Sequence, residues 1–132
     1  MIKIKNCAIY GGSFDPIHLG HLHLIDWLVK SKRFEKVLVV PAGKPWQREV
    51  IASGADRLDM VRRALAGHDV EVSDCEITRA GDSFAIDTVH ELSLQYPATT
   101  YTLVIGNDVI SGLSSWHRFN ELAESVEFLI VA

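Results

Sequence analysis

Cysteine is scarce in this chain, and so are proline, excess charge and long apolar runs. The two cysteines, Cys7 and Cys75, stand far apart without C-x-x-C spacing. They therefore read as buried thiols rather than a disulfide framework or a zinc pair. Only four prolines interrupt the sequence, each at a place where an element should end or a loop should turn. The formal net charge of −4 excludes broad nucleic-acid binding by surface charge, leaving room only for a local basic cleft. No apolar run approaches membrane-spanning length. The start Met-Ile-Lys-Ile-Lys offers no signal-peptide core with a small-residue cleavage site. A soluble cytoplasmic protein without membrane or nucleic-acid partners is the expectation.

Apolar segments of two periods are plentiful. The 132 residues, 48% apolar and 23% charged, suit one globular domain spanning 1–132 with a real core. Asn6–Tyr10 reads as a first strand, and Gly20–Ser31 as a helix carrying Leu22, Ile25 and Val29 on one face. Lys36–Val40 is a continuous apolar run ended by Pro41, the pattern of a parallel strand covered on both faces. Ser53-Gly54-Ala55-Asp56 matches a capping box opening a helix with Leu58, Val61 and Leu65 inward and Gly67 closing it. A short strand is expected at Val70–Ser73, and Cys75–Gly81 is ambiguous. Asp82 or Ser83 should cap a helix burying Ile86, Val89 and Leu92, with Pro97 beyond its end. Thr100–Ile105 and Val126–Val131 read as strands, flanking a mixed segment with one short and one longer helix. Nothing repeats.

This β-α-β-α order predicts an α/β fold: a Rossmann-like, doubly wound parallel sheet with helices on both faces. Ligands of such sheets bind beyond the carboxyl ends of the strands. Those ends are Gly11–His21, Pro41–Arg48, Asp74–Ser83 and Gly106–Trp116.

The first of these segments is the richest. Gly11 and Gly12 let backbone approach a ligand, Pro16 stiffens the turn, and His18 and His21 stand three apart at a helix entrance. The residues suit donation to phosphate oxygens, although a plain glycine turn with two surface histidines has the same composition. Asp15 serves equally as a turn cap or a ligand. His23 should point away from His18 and His21, and no acidic or cysteine partner stands at fixed spacing, so no resident metal is expected. Lys44, Trp46 and Arg48 make either a solvated loop or a phosphate clamp. Trp116 suits core filling or a flat stacking surface. Asp108 suits ribose hydroxyls or a helix cap. Arg79 suits an anion or, better, a surface ion pair. His68 and His90 read as surface residues. No Ser-His-Asp set and no carboxylate pair recommends a hydrolase.

Gly11-Gly12-Ser13-Phe14-Asp15-Pro16-Ile17-His18-Leu19-Gly20-His21 resembles the G-G-[ST]-F-D-P-x-H-x-G-H motif of the nucleotidyltransferase superfamily. Within it, the chain resembles the bacterial nicotinate-nucleotide adenylyltransferases. Val40–Arg48 is similar to that family's second loop, with Pro45-Trp46-Gln47-Arg48 like the actinobacterial branch. Arg79–Thr88, Ile105–Asp108 and Leu113–Trp116 resemble its later segments. The resemblance implies adenylyl transfer from ATP to nicotinate mononucleotide, with Mg²⁺ carried by the ATP phosphates. It implies ATP contacts at Gly11, Gly12, Ser13, Phe14, His18, His21, Gly106 and Asp108, with His18 and His21 catalytic. It implies an acceptor site at Lys44, Arg48, Asp87, Thr88 and Trp116. Nicotinamide mononucleotide as acceptor, or a catalytically weak nucleotide-binding module, are the competing readings, and a homo-oligomer is allowed. Ala85 stands where the family often has threonine. Family members also continue past Ala132 with an I-S-S-T-x-I-R segment on the ATP phosphates, whose loss would weaken ATP binding; a C-terminally truncated form, a fragment of a longer product and a degenerate member are the readings this leaves.

Overall fold

The computed structural model describes residues 4–45 and 49–131. Trp46, Gln47 and Arg48, which carry part of the expected phosphate clamp, lie outside the described residues. Five strands, β1 (Asn6–Gly12), β2 (Lys36–Pro41), β3 (Glu71–Val72), β4 (Thr100–Gly106) and β5 (Val126–Val131), form one sheet. Its order is β3-β2-β1-β4-β5, and every pairing is parallel. The chain therefore winds outward from β1 to β3, then returns across the sheet to β4 and β5. The reversal falls between β1 and β4. That is where the two strand ends diverge and leave a crevice.

Alternation along the strands divides the core in two. Cys7, Ile9, Leu38, Val40, Tyr101 and Leu103 turn to one side, where they meet Ile86, Val89 and Leu92 of α4 (Ala85–Gln95) and Leu122 of α5 (Phe119–Ser125). Ala8, Val37, Val39 and Val104 turn to the other. There they meet Ile25 and Leu28 of α1 (Leu19–Lys30) and Val61 of α2 (Gly54–Ala64), with Leu65 just beyond it. Helices thus cover both faces, as the continuous apolar run of β2 requires. Each such aliphatic side chain contributes about 1.5–3 kcal/mol on burial, so the two layers rather than surface pairs set the stability.

The expected strands and helices are present with ends shifted by one or two residues. Three details differ. The ambiguous segment contains a short helix, α3 (Cys75–Thr78). The mixed segment starts as a 3₁₀ helix over Asn107–Ser115 before α5. Ser53 caps α2 by accepting the Asp56 N–H at 3.1 Å, but the cap is one-sided rather than a reciprocal box. Both cysteines are free and buried, as expected.

Candidate functional site

The loop after β1 folds its own side chains into its support. Phe14 has a left-handed φ of 49° and only 2% exposure. Its ring lies in the core beside Ile25 and Val39 and meets His21 edge-on at 5.0 Å between centroids. The ring is a floor beneath the loop. Asp15 accepts the N–H groups of Ile51 at 2.6 Å and Ala52 at 3.1 Å. These bonds and the Arg57 charge hold its carboxyl below the usual range. Neither local role expected for Asp15 is what the structure shows: its carboxylate ties the β1 loop to the segment before α2, 36 residues away.

His18 and His21 cap α1 reciprocally. His18 Nδ1 accepts the Gly20 N–H, and His21 Nδ1 accepts the His18 N–H, both at 3.1 Å. The rings stack with centroids 3.8 Å apart and planes 23° apart. A neutral imidazole whose Nδ1 accepts carries its proton on Nε2. Two Nε2–H donors are thereby presented beside the free amides and positive dipole end of α1. Burial, aided by the His18 charge, pushes the His21 pKa down, which keeps that ring neutral. His23 is exposed and outside this pair.

The crevice's other bank is β4's end. Gly106 ends the strand, and Asp108 is exposed in the first 3₁₀ turn. A side chain at Gly106 would come 2.5 Å from Asp108 Oδ1, so glycine is what lets this carboxylate fold back over the strand end.

Arg57 is the residue that sequence reasoning missed. Its side chain is fully buried. Nε donates to Ala52 O at 3.1 Å, Nη1 to Ser13 O at 2.8 Å and Ala42 O at 2.5 Å, and Nη2 to Gly43 O at 2.9 Å. One signal was available: Arg57 stands directly before Leu58, four residues before Val61, on the inward side of α2. Ser83 was expected to cap α4. Instead its Oγ accepts the N–H groups of Gly43 and Lys44, both at 3.0 Å, and α4 starts after Phe84 with no side-chain cap. The β2 loop was simply the better partner for that hydroxyl. Lys44 itself extends into solvent, 3.8 Å from Asp82.

Of the residues expected at the acceptor, Asp87 is half-buried in the first turn of α4. Thr88 is buried. Its Oγ1 donates to Glu76 at 2.5 Å and accepts from Arg79 Nη1 at 3.3 Å. Arg79 also stands 3.7 Å from Glu91, with its side chain only 18% exposed. The expected ion pair is present, with a half-exposed Glu91, and it joins a network with Thr88 and Glu76 in which burial pushes the Glu76 carboxyl up. Trp116 packs against the core and borders a cleft of about 360 Å³ with Ser114, Arg118 and Phe119. Its indole N–H is enclosed without a partner among the described residues. The neighbouring His117 ring stacks on Phe84, centroids 4.1 Å apart. A larger groove of about 430 Å³ opens at Lys5, Asn6 and Thr100, at the opposite ends of the strands from the histidines. His90 pairs with Glu121 at 3.2 Å on the surface, and His68 is exposed.

A family model described as cytidylyltransferase-like matches residues 9–132. The chain belongs to the cytidylyltransferase-like family. Among its similar relatives is the probable nicotinate-nucleotide adenylyltransferase of Oceanobacillus iheyensis. The two are 34% identical over 131 residues, covering 98% of this chain and 69% of the relative. The like-named protein of Halalkalibacterium halodurans is 37% identical over 130 residues, covering 96% and 63%. That of Saccharopolyspora erythraea is 36% identical over 132 residues, covering 98% and 62%. The chain thus spans between 62% and 69% of the length of these three relatives. The fold is shared with Plasmodium falciparum nicotinic acid mononucleotide adenylyltransferase complexed with NaAD, at a TM-score of 0.85 and 23% identity. That likeness covers 96% of this chain and 63% of the other. For a cytidylyltransferase-like chain, the reversal between β1 and β4 therefore lies within the matched region. No described helix is long and apolar enough to cross a membrane.

Proposed function

We propose that this chain transfers the adenylyl group of ATP to nicotinate mononucleotide, yielding deamido-NAD and pyrophosphate. The observation that carries the reading is the reciprocal capping of His18 and His21 at the strand-order reversal. Support also comes from the relatives' names, which give this activity for proteins 34–37% identical to the chain.

An oxygen of the acceptor phosphate attacks the α-phosphorus of ATP, and the bond from that phosphorus to the bridging oxygen breaks as pyrophosphate leaves. The acceptor is already ionised, so no general base is needed. Catalysis is alignment plus neutralisation of charge on the departing oxygens. His18 and His21 donate Nε2–H bonds to phosphate oxygens. Gly11, Gly12 and Ser13 offer close backbone, and Gly106 with Asp108 lies on the nucleoside side. Phe14 acts through its packing beneath His21.

Lys44 and Arg48 meet the acceptor phosphate, and Trp116 offers its ring to the pyridine. Asp87 lies on the acceptor wall, with Thr88 bracing that wall through Glu76 and Arg79. Mg²⁺ enters on the ATP phosphates. Among the described residues no cluster of three or more His, Cys, Asp or Glu is arranged to hold an ion of its own.

Pyrophosphate release with ATP and Mg²⁺, measured separately with nicotinate and nicotinamide mononucleotides, tests the reading. Release with the nicotinate acceptor, lost in His21→Ala, supports it. Preference for the nicotinamide compound would reassign the acceptor, consistent with the missing hydroxyl at Ala85. ATP binding without release would make the chain a binding module.

A further inference from the structure

We infer that Arg57 is a positioning residue that sets the β1 phosphate loop and the β2 loop in one fixed relation. The inference rests on the proposed adenylyl transfer for its functional readout. Its geometric basis is independent of it.

Four of the five guanidinium N–H groups end on backbone carbonyls from three separate segments. Ser13 O belongs to the loop that leads to the histidines. Ala42 O and Gly43 O belong to the loop that leads to Arg48. Ala52 O lies where that loop returns. The planar fork holds these distances together because its nitrogens cannot move independently. Asp15 completes the frame. It sits on the β1 loop and takes the N–H groups of Ile51 and Ala52, tying the far end of the β2 loop to the same strand end. Ser83 fastens Gly43 and Lys44 from the opposite side. Gly43 is pressed so closely against the Glu76 carbonyl that no side chain fits there. The β2 loop is thus anchored at both ends onto the loop that carries His18. A displacement of about 1 Å between groups that align two substrates costs on the order of 10²-fold in rate.

The test compares wild type with Arg57→Lys, which keeps the charge but offers one nitrogen, and Arg57→Met, which keeps only the stem. Pyrophosphate release is followed well below each variant's melting temperature, with ATP affinity by calorimetry and amide exchange by mass spectrometry. The expected result for folded Arg57→Lys is a kcat lower by about tenfold or more. It should be accompanied by faster exchange at 13–18, 42–44 and 49–52 and unchanged exchange in β4 and β5. A folded Arg57→Lys with kcat within about twofold of wild type overturns the inference. An active Lys variant beside a dead Met variant also overturns it, because charge rather than geometry would be at work. If wild type itself releases no pyrophosphate, the proposed activity fails. ATP affinity then decides: about tenfold weaker binding in Arg57→Lys with the same local exchange supports positioning, and unchanged binding overturns it. Should neither variant fold, Asp15→Asn weakens the same frame from its other end. Wild-type kinetics and exchange there overturn the inference, and the local exchange pattern with lowered kcat supports it.

Discussion

His21 holds His18 in place through the backbone: its Nδ1 accepts the His18 N–H at 3.1 Å, while the His18 Nδ1 turns to Gly20. In the proposed mechanism, structure and chemistry therefore use different nitrogens of the same two rings. The Nδ1 atoms build the helix start, and the Nε2–H groups are left for a ligand.

His18→Asn separates these uses. Asparagine is among the best N-cap residues, so the melting temperature should hold within a few degrees. Its amide ends short of the imidazole Nε2, so kcat should fall by about 10²–10³-fold, the usual cost of one such donor. Steady-state pyrophosphate release and thermal melting check both halves. A variant with native melting and native kcat would remove His18 from the mechanism.

The His21 ring predicts a dependence on pH. Its folded pKa lies below the ordinary 6.5, so the unfolded chain binds the proton more readily. The contribution of His21 to stability is complete above 6.5 and is lost as pH falls through the lower folded value. Protonation also ends the acceptance of the His18 N–H. His21→Gln, the glutamine of a standard capping box, cannot titrate. Wild type should therefore lose stability relative to His21→Gln as pH falls below 6.5, read from denaturant midpoints between about pH 5 and 8. A constant difference across the range would show that burial does not bias the ring.

Glu76 predicts the opposite slope. Burial raises its carboxyl above the ordinary 4.5, so above that pH the unfolded chain ionises first and the folded state is penalised. Glu76→Gln keeps an oxygen for the Thr88 hydroxyl and removes the penalty. The substitution should be neutral at about pH 4 and stabilising at about pH 8, by urea unfolding at the two values. Destabilisation at the higher pH would mean that the Arg79 charge outweighs desolvation.

Two glycines should respond differently to alanine. At Gly43 a methyl collides with Glu76 backbone, which cannot swing aside, and the expected loss is about 3 kcal/mol. At Gly67 the φ of 85° is left-handed but nothing lies within 4 Å. That substitution should cost about 1–2 kcal/mol, the local backbone term alone. Denaturant midpoints give the comparison, and equal losses would contradict the close approach at Gly43.

Periodicity made most of the fold legible. The uninterrupted apolar run of β2 and the spacing of Ile86, Val89 and Leu92 reflect burial, which leaves its mark in neighbouring residues. The place of His18 and His21 at the start of a helix was legible for the same reason, but their reciprocal capping was not foreseen. Ser83 and Arg57 were not legible. Each acts on backbone or side chains brought close only by the fold: Ser83 on Gly43 forty residues away, Arg57 on Ser13 forty-four residues away. A polar residue gives no sign of such partners in its own neighbourhood. Arg57 came nearest to legibility, because it occupies the inward side of an otherwise apolar stripe.

The strand order also governs when a nucleotide site can exist during synthesis. β1 lies at the centre of the sheet, yet its second neighbour β4 is made roughly ninety residues later. A ribosome-bound chain can join β1 to β2 and complete the loop network around Arg57 well before β4 emerges. One bank of the crevice would then stand ready while the other is still being translated. Nucleotide would gain its full grip only once β4 and β5 have docked, so ligand binding would favour late intermediates over early ones.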